Sequence, residues 1–452
     1  MNSAALDEIV HKAVSRRLPN GQPMPDALSI MDITVIRHEM PTLLDIIVQG
    51  GDSFYHVVAG LMDPGDESRF FPDSTDQVLG LYDHDGQLRV AVDALEYQDM
   101  VSDLVKLIST TQASPAGPVP STGSIFPGGS APAASSAPPA PPVPSTYPAS
   151  PTYQDLVLES NMVRKESDTG ELVVYIVNES VIYTVIKKMV ERRSPSIDLL
   201  LTLDSRGFNN MFAPLAVWER GGYILGIVQE YMPGTSAGWD VALTSLRDLC
   251  SAGCAPEEAG ADFAPDAFKI GEMLGRMHIA LDDKSNNRRR MDISSRLPAI
   301  SSWPESDRLQ AQLDRKLLEE TDIHYYEIPV HGNFDLLHIR RGEYGWYLGD
   351  MMQVTSERER LYSSPLYDLA AVLSSLHEVA LDALRERDPL SADATEALVN
   401  EWEKRNGEML VSGYLNVSGI AGIVPIQENC LYAMLNMMSQ DYRNRNSLPV
   451  GE

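Results

Sequence analysis

Apolar runs at strand spacing open the chain. Residues 43–48 and 54–61 flank Gly50-Gly51, and residues 78–82 and 88–92 flank Asp85-Gly86; each pair predicts a β-hairpin. Short helices near 6–14 and 97–108 bracket them. Further on, 171–177 and 180–186 predict a third hairpin and 223–230 a further strand. Helical spacing then takes over. Ile270, Met273, Leu274, Met277 and Leu281 place one apolar face on a helix over 266–281. Ser364-Pro365 reads as the start of a long buried helix carrying Leu369, Val372, Leu373 and Leu376. Leu431, Met434, Leu435, Met438 and Tyr442 mark a terminal helix, and Asp198 falls in the first turn of a helix opened by Ser194-Pro195.

Between the two halves, 107–154 carries no charged residue, and 114–151 is dominated by Pro, Ala, Ser and Gly. Such a segment buries too little apolar surface to offset its ordering entropy, so a disordered, locally extended linker is expected. Elsewhere the 452 residues are 43% hydrophobic and 22% charged, enough for a substantial core. A net charge of −28 and a pI near 4.6 oppose nucleic acid and anionic membrane surfaces. No apolar run approaches the roughly 18 residues of a membrane span, and the first residues lack signal-peptide character, so a cytoplasmic protein without membrane or nucleic-acid partners is expected. The three cysteines suggest no disulfide framework. Cys250 and Cys254 have the spacing of neighbours on one helix face and read as buried small apolar side chains.

The chemistry concentrates in His331-Gly332-Asn333-Phe334-Asp335-Leu336-Leu337-His338, followed by the apolar Trp346-Tyr347-Leu348 and Asp350. Alone, His-Gly-Asn reads as a turn between a strand and a helix. Its surroundings add Arg358, Arg360 and the Ser-Pro-Leu-x-Asp helix start, then Glu230-Tyr231-Met232-Pro233-Gly234 upstream and the Arg443 to Pro449 tail. In this order the segments resemble the bacterial maltokinase and glucosamine kinase family, over nearly the whole chain. The resemblance implies an α+β fold: an N-terminal β-rich cap subdomain (1–108), the linker (109–153), and a two-lobed protein-kinase-like, aminoglycoside phosphotransferase-like body. That body has an N-lobe (154–232) and a mostly helical C-lobe (233–452). In the family the cap runs into the body more directly, so the linker is a departure.

The family's pattern is His-Gly-Asp, an Asn or Gln five residues after that Asp, and a second Asp after an apolar strand. The first Asp accepts the hydroxyl proton, and the other two groups hold Mg²⁺ against the phosphates of ATP. Here Asn333 stands at the base position, His338 at the amide position and Asp350 at the second Asp. An amide cannot take up the proton, so a contribution of about 10²–10⁴-fold is lost there, and imidazole suits Mg²⁺ poorly. The phosphate-contacting Lys falls on Thr184. Lys188 shares a strand face with Thr184 but lies about 13 Å along the strand, and Lys187 points the other way. The two lysines otherwise read as a solvated strand end. Asp198 stands where the family carries Glu, and is equally a first-turn charge favoured by the helix dipole. Glu230 and Tyr231 keep the hinge through which backbone groups recognise adenine.

Three functions follow. The first is a catalytically impaired maltokinase-like pseudokinase of maltose, trehalose and α-glucan metabolism, acting as a binding or regulatory partner of trehalose synthase or an active maltokinase. The second is an active ATP-dependent sugar kinase, phosphorylating maltose or glucosamine with Asp335 as relocated base; Asp335 otherwise reads as a turn or helix-start carboxylate. The third is a carbohydrate-binding module without nucleotide, with Trp218, Tyr231, Trp239, Tyr344 and Trp346 as stacking platforms or, more commonly for such aromatics, core.

Overall fold

The computed structural model describes residues 3–18, 23–65, 78–84, 86–111, 162–189, 195–255, 258, 260, 262–282, 289–292, 297–321, 324–349, 362–385, 392–417, 419–424 and 428–446. It divides into two compact units, one of 1–192 with 215–231 and one of 193–214 with 232–452. The expected linker lies almost wholly outside the described residues.

In the first unit, α1 (Ser3–Ser15) precedes β1 (Leu28–Arg37), β2 (Thr42–Gly50), β3 (Ser53–Met62), β4 (Val78–His84) and β5 (Gln87–Asp93), with α2 (Gln98–Thr111) closing the segment. The strands form an antiparallel sheet in the order β1-β2-β3-β5-β4. Both expected hairpins are present, β2 with β3 and β4 with β5. Edge strand β1 is half-exposed along its length, which is why no clean apolar run announced it. Helix α2 runs to Thr111, so 109–111 belong to the helix and not to the linker.

A second antiparallel sheet contains β6 (Val163–Asp168), β7 (Leu172–Val177), β8 (Val181–Ile186), β10 (Pro214–Arg220) and β11 (Tyr223–Glu230), in the order β10-β11-β8-β7-β6. After β8 the chain crosses at once to the first sheet, where β9 (Lys188–Met189) pairs with Phe54 and Tyr55 of β3. The central strands β2 and β3 of the first sheet are buried on both faces. Leu44, Ile46, Val57 and Leu61 pack with Ile9, Val10 and Val14 of α1. Leu43, Val58 and Val92 pack on the other side with Val101 and Leu104 of α2 and with Val173, Tyr175, Val181 and Tyr183 of the second sheet. Two-sided burial explains why β2 and β3 read as nearly continuous apolar runs. Lys165 reaches Glu96 at 2.8 Å, and the Tyr175 hydroxyl donates to the Leu95 carbonyl, so polar bonds also join the layers.

The second unit is mostly helical: α3 (Pro195–Ser205), α4 (Gly238–Ala252), α5 (Ala264–Leu281), α6 (Glu305–Glu319), α7 (Leu366–Arg385), α8 (Ala392–Asn416) and α9 (Glu428–Asn446). Short strands interrupt it: β12 (Ser236–Ala237) with β15 (Ile339–Gly342) and β16 (Gly345–Leu348), and β13 (Arg289–Asp292) with β14 (His324–Pro329) and β17 (Tyr362–Ser363). Helices α5 and α8 cross in close contact. A Cβ on Gly271 would sit 2.1 Å from the Leu410 carbonyl oxygen, and one on Gly413 2.0 Å from that of Phe268, so only glycine fits at the crossing. The cysteine expectation is corrected. Gly253, at φ 62°, ends α4 in the left-handed region. Cys254 therefore leaves the helix face that carries Cys250, and both are half-exposed.

Candidate active site

The His331 loop is built in the second unit from the start of α7. Ser364 begins the helix as expected, its hydroxyl accepting the Leu366 N–H at 3.3 Å. One turn in, the fully buried Asp368 accepts the His331 N–H on Oδ2 and the Gly332 N–H on Oδ1, both at 2.8 Å. Gly332 lies at φ 78°, a conformation that disfavours a side chain and turns both amides onto one carboxylate. Nε2 of His278, from α5, lies 3.1 Å from Asp368 Oδ2, and its Nδ1 lies 3.0 Å from the Tyr414 hydroxyl of α8. Burial pushes the Asp368 carboxyl up, but the His278 bond and charge, with the charge and backbone N–H of His331, bring it below the usual carboxylate range. Burial beside that carboxylate raises the Tyr414 phenol well above its ordinary value. The loop is thus held by a hydrogen-bonded chain of Tyr414, His278 and Asp368.

On this frame Asn333 presents an amide whose Oδ1 accepts the Tyr442 hydroxyl of α9 at 2.6 Å. Phe334 and His331 are buried edge to face, with ring centres 5.6 Å apart. Asp335 caps the turn that follows. Its Oδ1 accepts the N–H groups of Leu337 at 2.9 Å and His338 at 3.2 Å and faces His338 Nδ1 at 2.6 Å. This is the turn-stabilising role of a helix-start carboxylate. The His338 carbonyl accepts the Gly349 N–H at 2.9 Å, which ties the end of β16 to the loop. Asn210 clamps the same strand, donating to the Trp346 carbonyl at 3.0 Å and accepting the Leu348 N–H at 2.8 Å. Asp350, Arg358 and Arg360 lie outside the described residues.

Thr184 sits in mid-β8 between Val174 and Ile227. It is buried on the face opposite Val181, Tyr183 and Val185, which enter the shared core. The lysines that follow are not a solvated strand end. Lys187 is 7% exposed and bonded to Asp168, while Lys188 pairs with Glu171 at 3.5 Å. Burial lowers the Lys187 pKa, with Asp168 only partly restoring it. Lys187 and Lys188 are turned this way because both their N–H groups donate to the Glu171 carbonyl, closing the β7–β8 end. Glu230 ends β11 opposite Val181, and the Tyr231 N–H donates to the Ser180 carbonyl at 2.8 Å. Asp198 is exposed in the first turn of α3, in the other unit from Thr184.

Among the aromatic candidates, Trp346 is core: it is buried against Phe263 and its indole donates to Asp266. Trp218 packs edge-on to His56, and Tyr344 is exposed. Among the described residues no group of three metal-ligating side chains lies together, and no helix is long and apolar enough to cross a membrane. Sequence reasoning passed over His278, Asp368, Tyr414 and Tyr442 as functional groups. The available signal was a polar residue within an otherwise apolar face, as His278 is between Leu274 and Leu281.

No protein-family model matches the sequence.

Solved structures place the fold. Glucosamine kinase in complex with glucosamine, ADP and inorganic phosphate is similar at a TM-score of 0.59, with 17% identity over 98% of this chain and 95% of that one. Another crystal form of glucosamine kinase gives 0.59 and 17% over 100% and 99%. The chain therefore has a kinase-like α+β fold, with antiparallel sheets in its first part and helices in its last.

Proposed function

We propose that this protein is a catalytically impaired, maltokinase-like sugar kinase that acts by binding. The observation that carries this is Asn333. The frame that positions its loop is complete, through Asp368, His278 and Gly332, yet the residue it presents is a neutral amide already bonded to Tyr442. A second loss supports it: Thr184 stands at the position the resemblance assigns to a Lys, and Lys187 is engaged by Asp168. Phosphoryl transfer depends on positioning and charge stabilisation, so losses of this kind act together.

Nucleotide binding through the hinge at Glu230 and Tyr231 is part of this reading, and the ADP held by glucosamine kinase supports it. Bound Mg²⁺ would rest on Asp350, since His338 supplies nitrogen where a hard cation prefers oxygen. The partners we propose are trehalose synthase or an active maltokinase, in the cytoplasm, with a small sugar as ligand. Full-length protein titrated with ATP, with and without Mg²⁺, and then assayed for ADP release on maltose and glucosamine, tests the reading. ATP binding with negligible turnover is expected; turnover at the roughly 1–100 s⁻¹ of kinases overturns it.

One arrangement favours a second reading, an active sugar kinase with Asp335 as base. Asp335 lies two residues from Asn333, and its three contacts with nitrogen atoms all fall on Oδ1. D335N abolishing a measured turnover would establish that reading; a fully active D335N would exclude it.

A further inference from the structure

Helix α6 turns carboxylates inward and leucines outward. Its inner stripe is Asp307, Ala311, Asp314 and Leu318, spaced three and four apart. Asp307 accepts the Gln440 side chain of α9 at 2.8 Å, and Asp314 is bonded to the side chains of Gln310, at 2.9 Å, and of Asn436 on α9. These polar bonds fix the rotation of the helix. The outer stripe is then Glu305, Leu309, Gln312, Leu313 and Lys316, all exposed. Leu309, at 69%, is more exposed than any other large apolar side chain among the described residues, and Leu313, one turn on, stands at 57%. A surface helix with no further contact ordinarily shows the reverse arrangement.

The outer stripe is complementary to itself. Glu305 stands at its N-terminal end and Lys316 at its C-terminal end, with the two leucines between, so both pairs share a midpoint near Ala311. Two such helices laid antiparallel about a two-fold axis through that midpoint bring Leu309 against Leu313 and Glu305 against Lys316, each contact occurring twice. Lys316 pairs with Glu320 at 3.8 Å, an exposed contact of small worth that leaves it available. Arg308 and Arg315, on the flank, are turned to the carbonyls of Trp303 and Pro298. At a net charge of −28, two copies of the chain repel over most of their surface. The stripe from Glu305 to Lys316 is neutral and has no such penalty.

We propose that the outer face of α6 is an interface between two copies of this chain, paired antiparallel through Leu309 and Leu313. The interface is separate from the Asn333 loop and goes beyond the function proposed above. One helix pair is a small contact, at the weak end of specific interfaces, so half-dimerisation on the order of 10–100 µM is expected.

Sedimentation of the full chain over a concentration series that brackets this range tests the proposal. The unaltered chain should pass from monomer towards dimer, and L309E combined with L313E should stay monomeric throughout. E305K and K316E should each weaken the dimer about tenfold, because like charges then face each other at both ends. E305K combined with K316E should restore it. Thermal unfolding, expected to be unchanged at these exposed positions, checks the fold of each variant. Monomer at every concentration overturns the proposal and leaves the face to a different protein. A dimer that survives L309E with L313E also overturns it, since that dimer is built on another surface. Failure of the double charge exchange to restore association overturns the antiparallel pairing.

Discussion

Each unit fully buries a histidine beside an aspartate, His56 with Asp45 and His278 with Asp368, and these two pairs do different work. In the first unit, His56 Nε2 lies 2.9 Å from Asp45 with both side chains fully buried, and its Nδ1 faces the Ile186 carbonyl at 3.0 Å. Asp45 also meets Arg220 at 3.0 Å, and Arg220 reaches Asp32 at 3.1 Å. In the second unit, His278 lies between the Asp368 carboxylate on one side and the Tyr414 hydroxyl on the other. The first pair joins strands β2, β3, β8 and β10. The second leaves Asp368 free to hold two backbone amides of a loop. The difference separates a network that holds sheets together from one that positions a site.

Removing the carboxylate tests the contrast most severely. D368A leaves the His331 and Gly332 amides and His278 without their acceptor, and is expected to cost about 3–5 kcal/mol in urea unfolding, with fast amide exchange over 331–338. D45A should cost a similar amount while leaving exchange at 331–338 unchanged. If D45A also loosens that loop, the two networks are not separate.

Acid offers a milder perturbation. The folded-state pKa of Asp368 lies below its unfolded value of about 3.9. The stability it contributes is therefore fully present above that value and lost as pH falls through the folded pKa. Unfolding free energy measured downward from pH 5 should fall, and D368N should flatten that acid limb. An unchanged limb in D368N would mean that other carboxylates carry the acid response.

Smaller changes sharpen the second network. Y414F deprives His278 Nδ1 of its hydroxyl partner and is expected to cost about 1–3 kcal/mol, measurable in urea unfolding. Y442F removes the hydroxyl from Asn333 Oδ1 and should cost only about 0.5–1.5 kcal/mol. Its signature is local: the Asn333 side-chain amide resonances should shift while those of the His278 ring stay in place.

Short-range features were legible in the chain itself. Gly50-Gly51 and Asp85-Gly86 between apolar runs marked two hairpins because a turn and the alternation beside it are set by neighbouring residues. The helix at Ser364-Pro365 and the face carrying Ile270, Met273 and Met277 were visible for the same reason. The His-Gly-Asn loop stood out by its residue types. Tertiary structure alone decided what those residues touch. Asp368 holds amides 36 and 37 residues away, and His278 meets Tyr414 across 136. Lys187, which read as a solvated end, is buried against Asp168 where the chain leaves β8 and crosses at once to β9, which pairs with β3. No local period encodes such contacts. They arise from the packing of whole sheets and helices, which brings distant polar groups to sites where water is excluded and a partner is required.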